Sequence, residues 1–382
     1  MKVNDPNRNI VHMDLDSFFV SVECLEHSEF KGKPLIIGGS SDRGVVASCS
    51  YEARKFGVHS AMPSKMARKL CPHAIWLQGD MEKYSRYSNL ITEIVKDKSP
   101  LYEKASIDEF YIDVTGMDQF FGCYKWTNEL KQYIMKESGL PISFGLSVNK
   151  IVSKIATGES KPNGQKHVPY GTEKPFLNPL PVRKIPGIGP QTGNYLNSLG
   201  VVRIATLAEM PVKVLQSLFG KNGLEIWERA NALDDTPVIP FSERKSISNE
   251  TTFEQDTIDI KMIQSTIIKM VEGLAFDIRK DEWLTGCVVI KIKYSNFDTN
   301  TMQVTIPYTS SDDILIETAK ELFKKLYQKR MLIRLIGVKL TNLIRGNYQI
   351  SLFDDPVKKI SLYQAMDKIR KKYGDDTVGR AV

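Results

Sequence analysis

Two apolar segments of this 382-residue chain are interrupted by carboxylates, and this pattern restricts the fold more than any other feature. The segment 10–15 has the composition of a buried strand and yet carries Asp14. The segment 105–114 alternates like a half-buried strand and carries Asp108 and Glu109 in its middle. Ionised carboxylates are rare inside apolar strands unless they are paired with cations or bind a metal ion.

The chemistry of these acids points to magnesium. Carboxylate oxygens suit Mg²⁺, which usually takes one or two of them together with substrate phosphates. Two such ions about 4 Å apart would hold the attacking and leaving oxygens of an in-line phosphoryl transfer. Neighbouring strand residues point to opposite faces, so Asp108 and Glu109 share a site only if the strand twists or one side chain bends round. The alternative is that Asp14 and the nearby Asp16 face solvent at a strand end, which is the commoner meaning of a lone D-x-D.

Three further segments carry groups suited to phosphate. Tyr51 and Arg54 lie about one helical turn apart, so both face one side of a predicted helix, and a guanidinium and a hydroxyl bind phosphate oxygens. Lys161 precedes Pro-Asn-Gly, a turn that would present its ammonium group as a point charge. The segment IPGIGP has the form of a helix-hairpin-helix, in which Gly187 and Gly189 let backbone amides approach a DNA phosphate. Each segment also has a purely structural interpretation. The first could be a surface helix, the second a loop and the third a helical hairpin that binds no ligand.

Positive charge is concentrated in two stretches, although the formal net charge is only +7. Residues 142–184 contain seven Lys or Arg against two acids, and residues 319–346 contain eight against one. Two separated basic stretches suit a partner with a long run of phosphates. Solvated helix faces would give the same pattern, so charge alone does not decide between the two interpretations.

The cysteine pattern and the hydropathy indicate where such a chain would work. The five cysteines are scattered and form no C-x-x-C pair, so neither a zinc site nor a disulfide framework is indicated. An odd number of dispersed cysteines fits a reducing compartment, and we expect a cytoplasmic protein. The first residues lack an apolar core of signal-peptide length, and no stretch approaches the roughly 18 apolar residues of a membrane span. We therefore expect no membrane partner.

The predicted elements divide the chain into regions of different character. Up to about residue 168, short strands alternate with helices that have apolar residues at helical spacing. From about 170 to 240, short helices are separated by Pro and Gly, and no strand pattern is visible. Residues 240–250 are polar and typical of a linker. Beyond them, two helices and three strands predict an α+β domain of about 100 residues, a common domain size.

The C-terminal segment carries two further features. Gln349, Leu352 and Phe353 fit a peptide that anchors in an apolar pocket of a partner, and the alternative is an ordinary polar tail. After residue 356, apolar residues at helical spacing predict a short amphipathic helix. Its apolar residues are Leu362, Met366 and Ile369.

Taken together, and in this order, these segments resemble the Y-family DNA polymerases. The matching stretches are HMDLDSFFVSVE, VVASCSYEARKFGVHSAMP, SIDEFYIDVTG, GLSVNKIVSKIA with SKPNG, and IPGIGPQTGNYLNSLGV. They run from residue 10 to about 205, and a looser resemblance of the last domain extends to about 345. Five motifs in family order outweigh the alternative meaning of each motif alone.

The resemblance implies an α+β multidomain fold shaped like a right hand. Its parts would be a catalytic palm, small fingers, a helical thumb with the helix-hairpin-helix, and an α+β little-finger domain. The implied ranges are 1–20 and 76–168 for the palm, 21–75 for the fingers, 169–240 for the thumb, 241–247 for a linker, 248–345 for the little finger and 346–382 for the tail.

The resemblance also assigns roles to the acids. It implies that Asp14, Asp108 and Glu109 are catalytic and hold two Mg²⁺ ions, with the backbone carbonyl of Leu15 as a further ligand. Ser106 belongs to the same motif and receives no role.

Two residues near the acids depart from the family pattern: Phe110 stands where a small residue is common, and Met13 where valine is common. We expect both to affect only local packing.

Other residues receive binding roles from the resemblance. The residues implied to hold the triphosphate are Tyr51, Arg54 and Lys161. Phe19 matches the position whose ring lies under the incoming sugar, and Gly187 and Gly189 would contact DNA. The tail peptide matches one that binds the bacterial sliding clamp through Gln349, Leu352 and Phe353.

The activity implied is template-directed DNA synthesis of low fidelity, as in translesion synthesis, without proofreading. The partners would be primer-template DNA, deoxynucleoside triphosphates and the sliding clamp, and we expect a monomer. A fingers segment of about 55 residues encloses the new base pair weakly, which fits weak shape selection. A nucleotidyl cyclase could share paired acids but needs no helix-hairpin-helix. A non-catalytic DNA-binding scaffold of damage tolerance would keep the basic stretches without needing the acids.

Overall fold

The computed structural model describes residues 4–39, 41–117, 122–241, 243–346, 356–374 and 377. The chain divides into two compact units, Met1–Ser242 and Glu243–Val382. Each unit combines a sheet with helices, which confirms the predicted α+β multidomain class. The finer boundaries between palm, fingers, thumb and little finger remain our proposal.

The first unit is built round a five-stranded sheet. The strands of this unit are β1 (Ile10–Leu15), β2 (Leu35–Gly38), β3 (Val46–Cys49), β4 (Ile75–Leu77), β5 (Tyr102–Lys104), β6 (Glu109–Asp113), β7 (Ile142–Ser147) and β8 (Gln165–His167). The main sheet has the order β5-β6-β1-β7-β8, and the other three strands form a small sheet in the order β3-β2-β4. Strand β1 lies in the centre of the main sheet and is antiparallel to both neighbours.

Helices cover these sheets and make up the rest of the first unit. They are α1 (Phe18–Glu26), α2 (Tyr51–Arg54), α3 (Ser64–Leu70), α4 (Met81–Lys98), α5 (Cys123–Ser138), α6 (Lys150–Ser160), α7 (Glu173–Leu177), α8 (Pro190–Ser198), α9 (Ile204–Glu209), α10 (Val212–Phe219) and α11 (Lys221–Ala230), with short 3₁₀ turns at Ser28–Phe30 and Val182–Lys184. Three helices begin after a side chain that accepts a backbone N–H, and these caps are Ser50, Asp80 and Asn149. The Ser50 and Asn149 caps fix the start of α2 and α6, which carry predicted site residues.

The two departures from the family pattern are neighbours in the core. Met13 on β1 lies directly opposite Phe110 on β6, and both side chains are fully buried. The unbranched methionine side chain can adapt its shape to the large ring beside it. The substitutions therefore change packing beneath the sheet without touching its charged groups.

The second unit is a four-stranded sheet with helices. Its elements are β9 (Ser246–Thr257), α12 (Ile260–Lys280), β10 (Trp283–Tyr294), β11 (Thr299–Thr309), α13 (Asp312–Leu326), β12 (Ile333–Arg345) and α14 (Pro356–Tyr373). The strand order is β11-β10-β12-β9, and every neighbouring pair is antiparallel. Apolar side chains from α12, α13, β10 and β12 form one buried core.

Strand β9 corrects the predicted linker. The composition of 240–250 predicts a linker, and the resemblance implies a linker at 241–247, but β9 already begins at Ser246. Ser246 and Ile247 pair with Thr341 and Leu340 of β12. An edge strand with mostly exposed side chains has no alternating apolar pattern, so its sequence looks like a loop.

Helix α14 is present as predicted, but its predicted apolar face is turned outward. Leu362 is 57% exposed and Ile369 is 40% exposed, whereas Tyr363 is buried. The inward contacts are polar. The Arg279 guanidinium donates from Nε and Nη2 to the Asp367 carboxylate at 2.8 and 2.9 Å, and also pairs with Asp312.

We predict that these polar contacts hold α14 on the second unit. Replacing Asp367 with alanine removes one of two carboxylates from the buried Arg279, and should destabilise the helix by about 1–3 kcal/mol. Leu362→Ala is the matched control on the exposed side, with an expected change within about 0.5 kcal/mol. Hydrogen exchange of the α14 amides in the full chain measures both effects. Unchanged protection in Asp367→Ala would contradict this description.

Candidate active site

The central sheet brings the two acid segments together. In the antiparallel register of β1 and β6, Asp14 lies directly opposite Glu109. The backbone N–H of Leu15 donates to the carbonyl of Asp108 at 3.1 Å, which places that residue beside the same end of β1. Acids that are about 95 positions apart in sequence are therefore neighbours where the strands β1 and β6 end, at one edge of the buried sheet that runs across the strand ends.

Asp108 does not lie within the strand, which corrects the predicted segment 105–114. Strand β6 begins at Glu109, and Asp108 belongs to the turn after β5. The Ser106 hydroxyl fixes this turn, because it donates to Asp108 Oδ1 at 2.6 Å and accepts from the N–H of Glu109 at 3.0 Å. The turn also removes the requirement that adjacent strand residues point to opposite faces. Ser106, which received no role from the sequence, thus orients the acid pair.

Two lysines contact the acids. Lys161 Nζ lies 2.5 Å from Asp14 Oδ1 and 3.4 Å from the carbonyl oxygen of Leu15. Lys154 Nζ lies 2.6 Å from Glu109 Oε2. Lys154 was missed as a site residue, because it is one of seven basic residues in its stretch and charge counting singles out none of them.

Burial and like charge make Asp14 hard to ionise. Burial raises the pKa of Asp14 to about 7, and the negative charges of Glu109 and Asp108 act in the same direction against the Lys161 ammonium. Burial would also raise the pKa of Glu109, but Lys154 and the nearby His12 outweigh it and lower that pKa to about 2. This edge of the sheet therefore carries crowded negative charge that further cations would stabilise.

His12 is a second residue that sequence reasoning missed. It is buried in β1, its Nδ1 lies 2.9 Å from the Thr157 hydroxyl, and its Nε2 lies 3.9 Å from Glu109 Oε2. Burial lowers the pKa of His12 to about 4, so the ring is neutral near pH 7. A neutral ring beside Glu109 supplies a dipole without adding a competing positive charge.

The donor set fits a hard divalent cation. Asp14 Oδ1 and the carbonyl of Leu15 both face the single ammonium group of Lys161, so these two oxygens already converge on one positive charge. Within the described ranges, no three Asp, Glu, His or Cys side chains converge on one point as they stand. Each acid instead faces its own lysine or serine partner. Holding Mg²⁺ would require Lys161 and Lys154 to release the carboxylates by side-chain rotation.

Of the residues predicted to hold a nucleotide, Lys161 contacts Asp14, and the Tyr51 hydroxyl donates to Asp16 at 3.4 Å. Tyr51 and Arg54 are both on α2, with the guanidinium carbon 5.4 Å from the Tyr51 ring centre. Phe19, on α1, stacks on Tyr84 with ring centres 4.1 Å apart and planes 10° from parallel. Tyr84 is fully buried and donates to Glu23 at 2.7 Å, so Phe19 rests on a rigid support.

A cavity of about 350 Å³ extends from Asp14 to the helix-hairpin-helix. Its walls include Asp14, Lys154, Lys161, Arg183, Lys184 and Gly187. Gly187 has a φ of +92°, a backbone conformation that residues with a side chain rarely adopt, so this position favours glycine. A β-carbon on Gly189 would meet no atom within 4 Å, which leaves its backbone open to a ligand.

The three residues predicted to bind the sliding clamp lie outside the described part of the chain; they are Gln349, Leu352 and Phe353.

Comparison with known proteins agrees with this geometry. Residues 13–158 match the model of the impB/mucB/samB family, residues 244–352 match its C-terminal domain, and residues 170–201 match the helix-hairpin-helix motif of the same family. The chain is 38% identical to DNA polymerase IV of Dehalococcoides mccartyi over 97% of this chain and 96% of that protein. It is 39% identical to DNA polymerase IV of Listeria innocua over 89% of this chain and 96% of that protein.

Solved structures give the same result. A Y-family DNA polymerase chimera of Dbh and Dpo4 superposes with a TM-score of 0.78 and 29% identity, covering 88% of this chain and all of that chain. An insertion ternary complex of Dbh DNA polymerase gives a TM-score of 0.63 at 29% identity with the same coverage.

A sheet with paired acids at one edge, lysines against them and a helix-hairpin-helix across the cavity defines a nucleotidyltransferase that acts on nucleic acid. The identity over nearly the whole length makes the class specific. The chain belongs to the impB/mucB/samB family of Y-family DNA polymerases.

Proposed function

We propose that this chain is a DNA-directed DNA polymerase of translesion synthesis, with Asp14, Asp108 and Glu109 as its catalytic acids. The primer 3′-oxygen would attack the α-phosphorus of a deoxynucleoside triphosphate, and pyrophosphate would leave. The observation that carries the assignment is the register that sets Asp14 opposite Glu109, with Asp108 in the adjoining turn. The family as a whole depends on divalent metal ions, and the carboxylate oxygens here fit them.

The three acids and the Leu15 carbonyl would hold two Mg²⁺ ions. When bound, the ions lower the pKa of the primer hydroxyl and stabilise charge on the leaving pyrophosphate. In the same state Lys161, freed from Asp14, is available to a triphosphate oxygen as a point charge. Tyr51 and Arg54 add a hydroxyl donor and a planar guanidinium from α2.

The basic cavity supports a path for the primer strand. Lys154, Arg183 and Lys184 line it together with Asp14 and Gly187. Backbone amides and lysines suit phosphates of any sequence, which is what a polymerase that moves along its template requires. Neither alternative needs this cavity: a cyclase has no primer to hold, and a DNA-binding scaffold has no use for acids beside it.

Primer extension on damaged and undamaged templates tests the proposal. We expect one nucleotide to be added per templating base, with its identity set by that base, and continued synthesis past at least some lesions. A primer with a mismatched 3′ end should not be shortened during the reaction, because we assign no segment to a proofreading nuclease. Addition that ignores the template base would contradict the proposal.

We further propose that the tail peptide binds a sliding clamp. The support is its match to the clamp-binding pattern, with Leu352 and Phe353 as apolar anchors and Gln349 as a hydrogen-bonding group. Tethering to a ring on DNA replaces repeated encounters with a high local concentration. A small anchor of this kind gives weak affinity, on the order of micromolar.

Changing Leu352 and Phe353 to alanine should therefore leave extension without the clamp unchanged and remove its stimulation by the clamp. The matched control replaces the exposed apolar pair Leu362 and Ile369 of α14, which should remain fully stimulated. Clamp-dependent primer extension measures both variants. Equal stimulation of the tail variant and the parent would rule out this peptide as the tether.

We propose a cytoplasmic location because none of the five cysteines forms a disulfide bond, as expected in a reducing compartment. In the described part of the chain, no helix is both long and apolar enough to cross a membrane.

A further inference from the structure

Asp16 is the one acid of the first motif that has no role in the site as described. Its side chain is only 1% exposed, although it follows directly after β1. Its two oxygens accept from the Ser143 hydroxyl at 2.9 and 3.0 Å and from the backbone N–H of Asn163 at 2.6 Å. The Tyr51 hydroxyl also donates to it, at a longer 3.4 Å. One buried carboxylate thus connects β7, α2 and the loop after α6.

These partners adjoin the groups proposed to hold the triphosphate. Tyr51 is one of those groups, and Asn163 lies two residues after Lys161 in the same loop. Ser143 continues the network, because its hydroxyl oxygen accepts from the N–H of Gly164 at 3.1 Å. On the other side of the loop, Lys131 Nζ donates to the carbonyl of Asn163 at 2.7 Å. The loop is therefore held from two directions, and Asp16 is one of them.

The chemistry of Asp16 is unsuited to direct phosphate contact. A carboxylate next to a triphosphate would repel it, and the oxygens of Asp16 already accept from protein donors. The Lys161 ammonium lies 4.0 Å from Asp16 Oδ1, so the carboxylate also attracts the side chain of Lys161. Its effect on a nucleotide would pass through the orientation of Tyr51 and Lys161.

We propose that Asp16 is a positioning residue for nucleotide binding, which fixes Tyr51 and the loop 161–164 so that their donors meet the triphosphate. This inference rests on the proposed function. The competing role is a further metal ligand, as the D-x-D spacing alone would indicate. The two roles differ in what they change: positioning affects nucleotide affinity, whereas metal ligation affects turnover and magnesium dependence.

The test is Asp16→Asn, which keeps the shape of the side chain and replaces one accepting oxygen with a donor. We expect the KM for the correct nucleotide to rise roughly 10-fold or more, while kcat stays within about threefold. Nucleotide affinity for a complex with a dideoxy-terminated primer, measured without turnover, should fall by the same factor. The magnesium concentration for half-maximal rate at saturating nucleotide should not change. Asp113→Asn, at the other end of β6, is the matched control. Its KM, kcat, nucleotide affinity and magnesium dependence should all equal those of the parent.

Two outcomes would overturn the inference. One is unchanged nucleotide affinity in Asp16→Asn. The other is a fall in kcat with a shifted magnesium requirement, which would make Asp16 a metal ligand. If Asp16→Asn does not fold, Ser143→Ala keeps the carboxylate and removes the bridge to Gly164, and no rise in KM there would also overturn it. Failure of the proposed function would appear separately, as a parent enzyme that adds no templated nucleotide.

Discussion

Replacing Asp108 or Glu109 with alanine is expected to reduce single-nucleotide incorporation by about 1,000-fold or more, while affinity for primer-template DNA stays near that of the parent. On the proposed assignment, each change removes an oxygen ligand where charge develops in the transition state, and such groups individually contribute about 100- to 1,000-fold. A metal ligand contributes to both ion binding and charge stabilisation, so the loss should lie at or above that range. We propose that DNA affinity depends on lysines and backbone amides in the cavity and elsewhere, which these changes leave in place.

The sheet itself offers the control. Asp113 is on the same strand as Glu109, four residues further on, and faces Ile10 rather than Asp14. Its carboxylate accepts from the N–H of Thr115 at 3.0 Å, a local contact unrelated to the lysines. Asp113→Ala should therefore extend primers at nearly the parental rate. Near-normal extension by both Asp108→Ala and Glu109→Ala would remove the acids from the catalytic assignment.

The second large effect is expected in sugar selection. Phe19→Ala should raise ribonucleotide incorporation relative to deoxynucleotide incorporation by about 10- to 200-fold, the range for one small group excluded by a close-packed pocket. We propose that the ring acts as a fixed wall, because it stacks on Tyr84, which is itself buried and donates a hydrogen bond to Glu23. Truncation to alanine removes the wall and leaves its support unchanged.

Two variants separate the wall from its support. Phe19→Tyr keeps a planar ring and should retain selectivity against ribonucleotides. Tyr84→Phe removes the hydrogen bond to Glu23 and keeps the stack, so it should change selectivity much less than Phe19→Ala. Competition between ribo- and deoxynucleotides in a single-nucleotide assay measures all three. Unchanged selectivity in Phe19→Ala would place the sugar gate elsewhere.

The sequence predicts the elements that carry strong patterns. Strand β1 has the predicted bounds, because a buried apolar strand leaves little ambiguity. Strands β4, β5 and β8 were missed, since three residues each are too few to form a pattern. Strand β9 was missed for the opposite reason: it is long but lies at a sheet edge with few buried residues.

The same distinction holds in the candidate site. The acids at 14, 108 and 109 could be found because ionised groups in apolar surroundings are conspicuous. The contacts of His12, Lys154 and Asp16 could not, since each depends on a partner far away in sequence. Lys154 meets Glu109 45 positions away, and Asp16 meets Ser143 127 positions away. Only the folded sheet brings such pairs together, so single-sequence patterns contain no signal for them.

The most direct test of the account is to count the divalent ions in the active complex. Mn²⁺ in place of Mg²⁺ can be titrated by electron paramagnetic resonance into enzyme bound to a dideoxy-terminated primer, its template and the next correct nucleotide. We expect two tightly bound ions for the parent and for Asp113→Ala, and at least one fewer for Asp108→Ala and Glu109→Ala. The same number of bound ions in the parent and in both acid variants would contradict it.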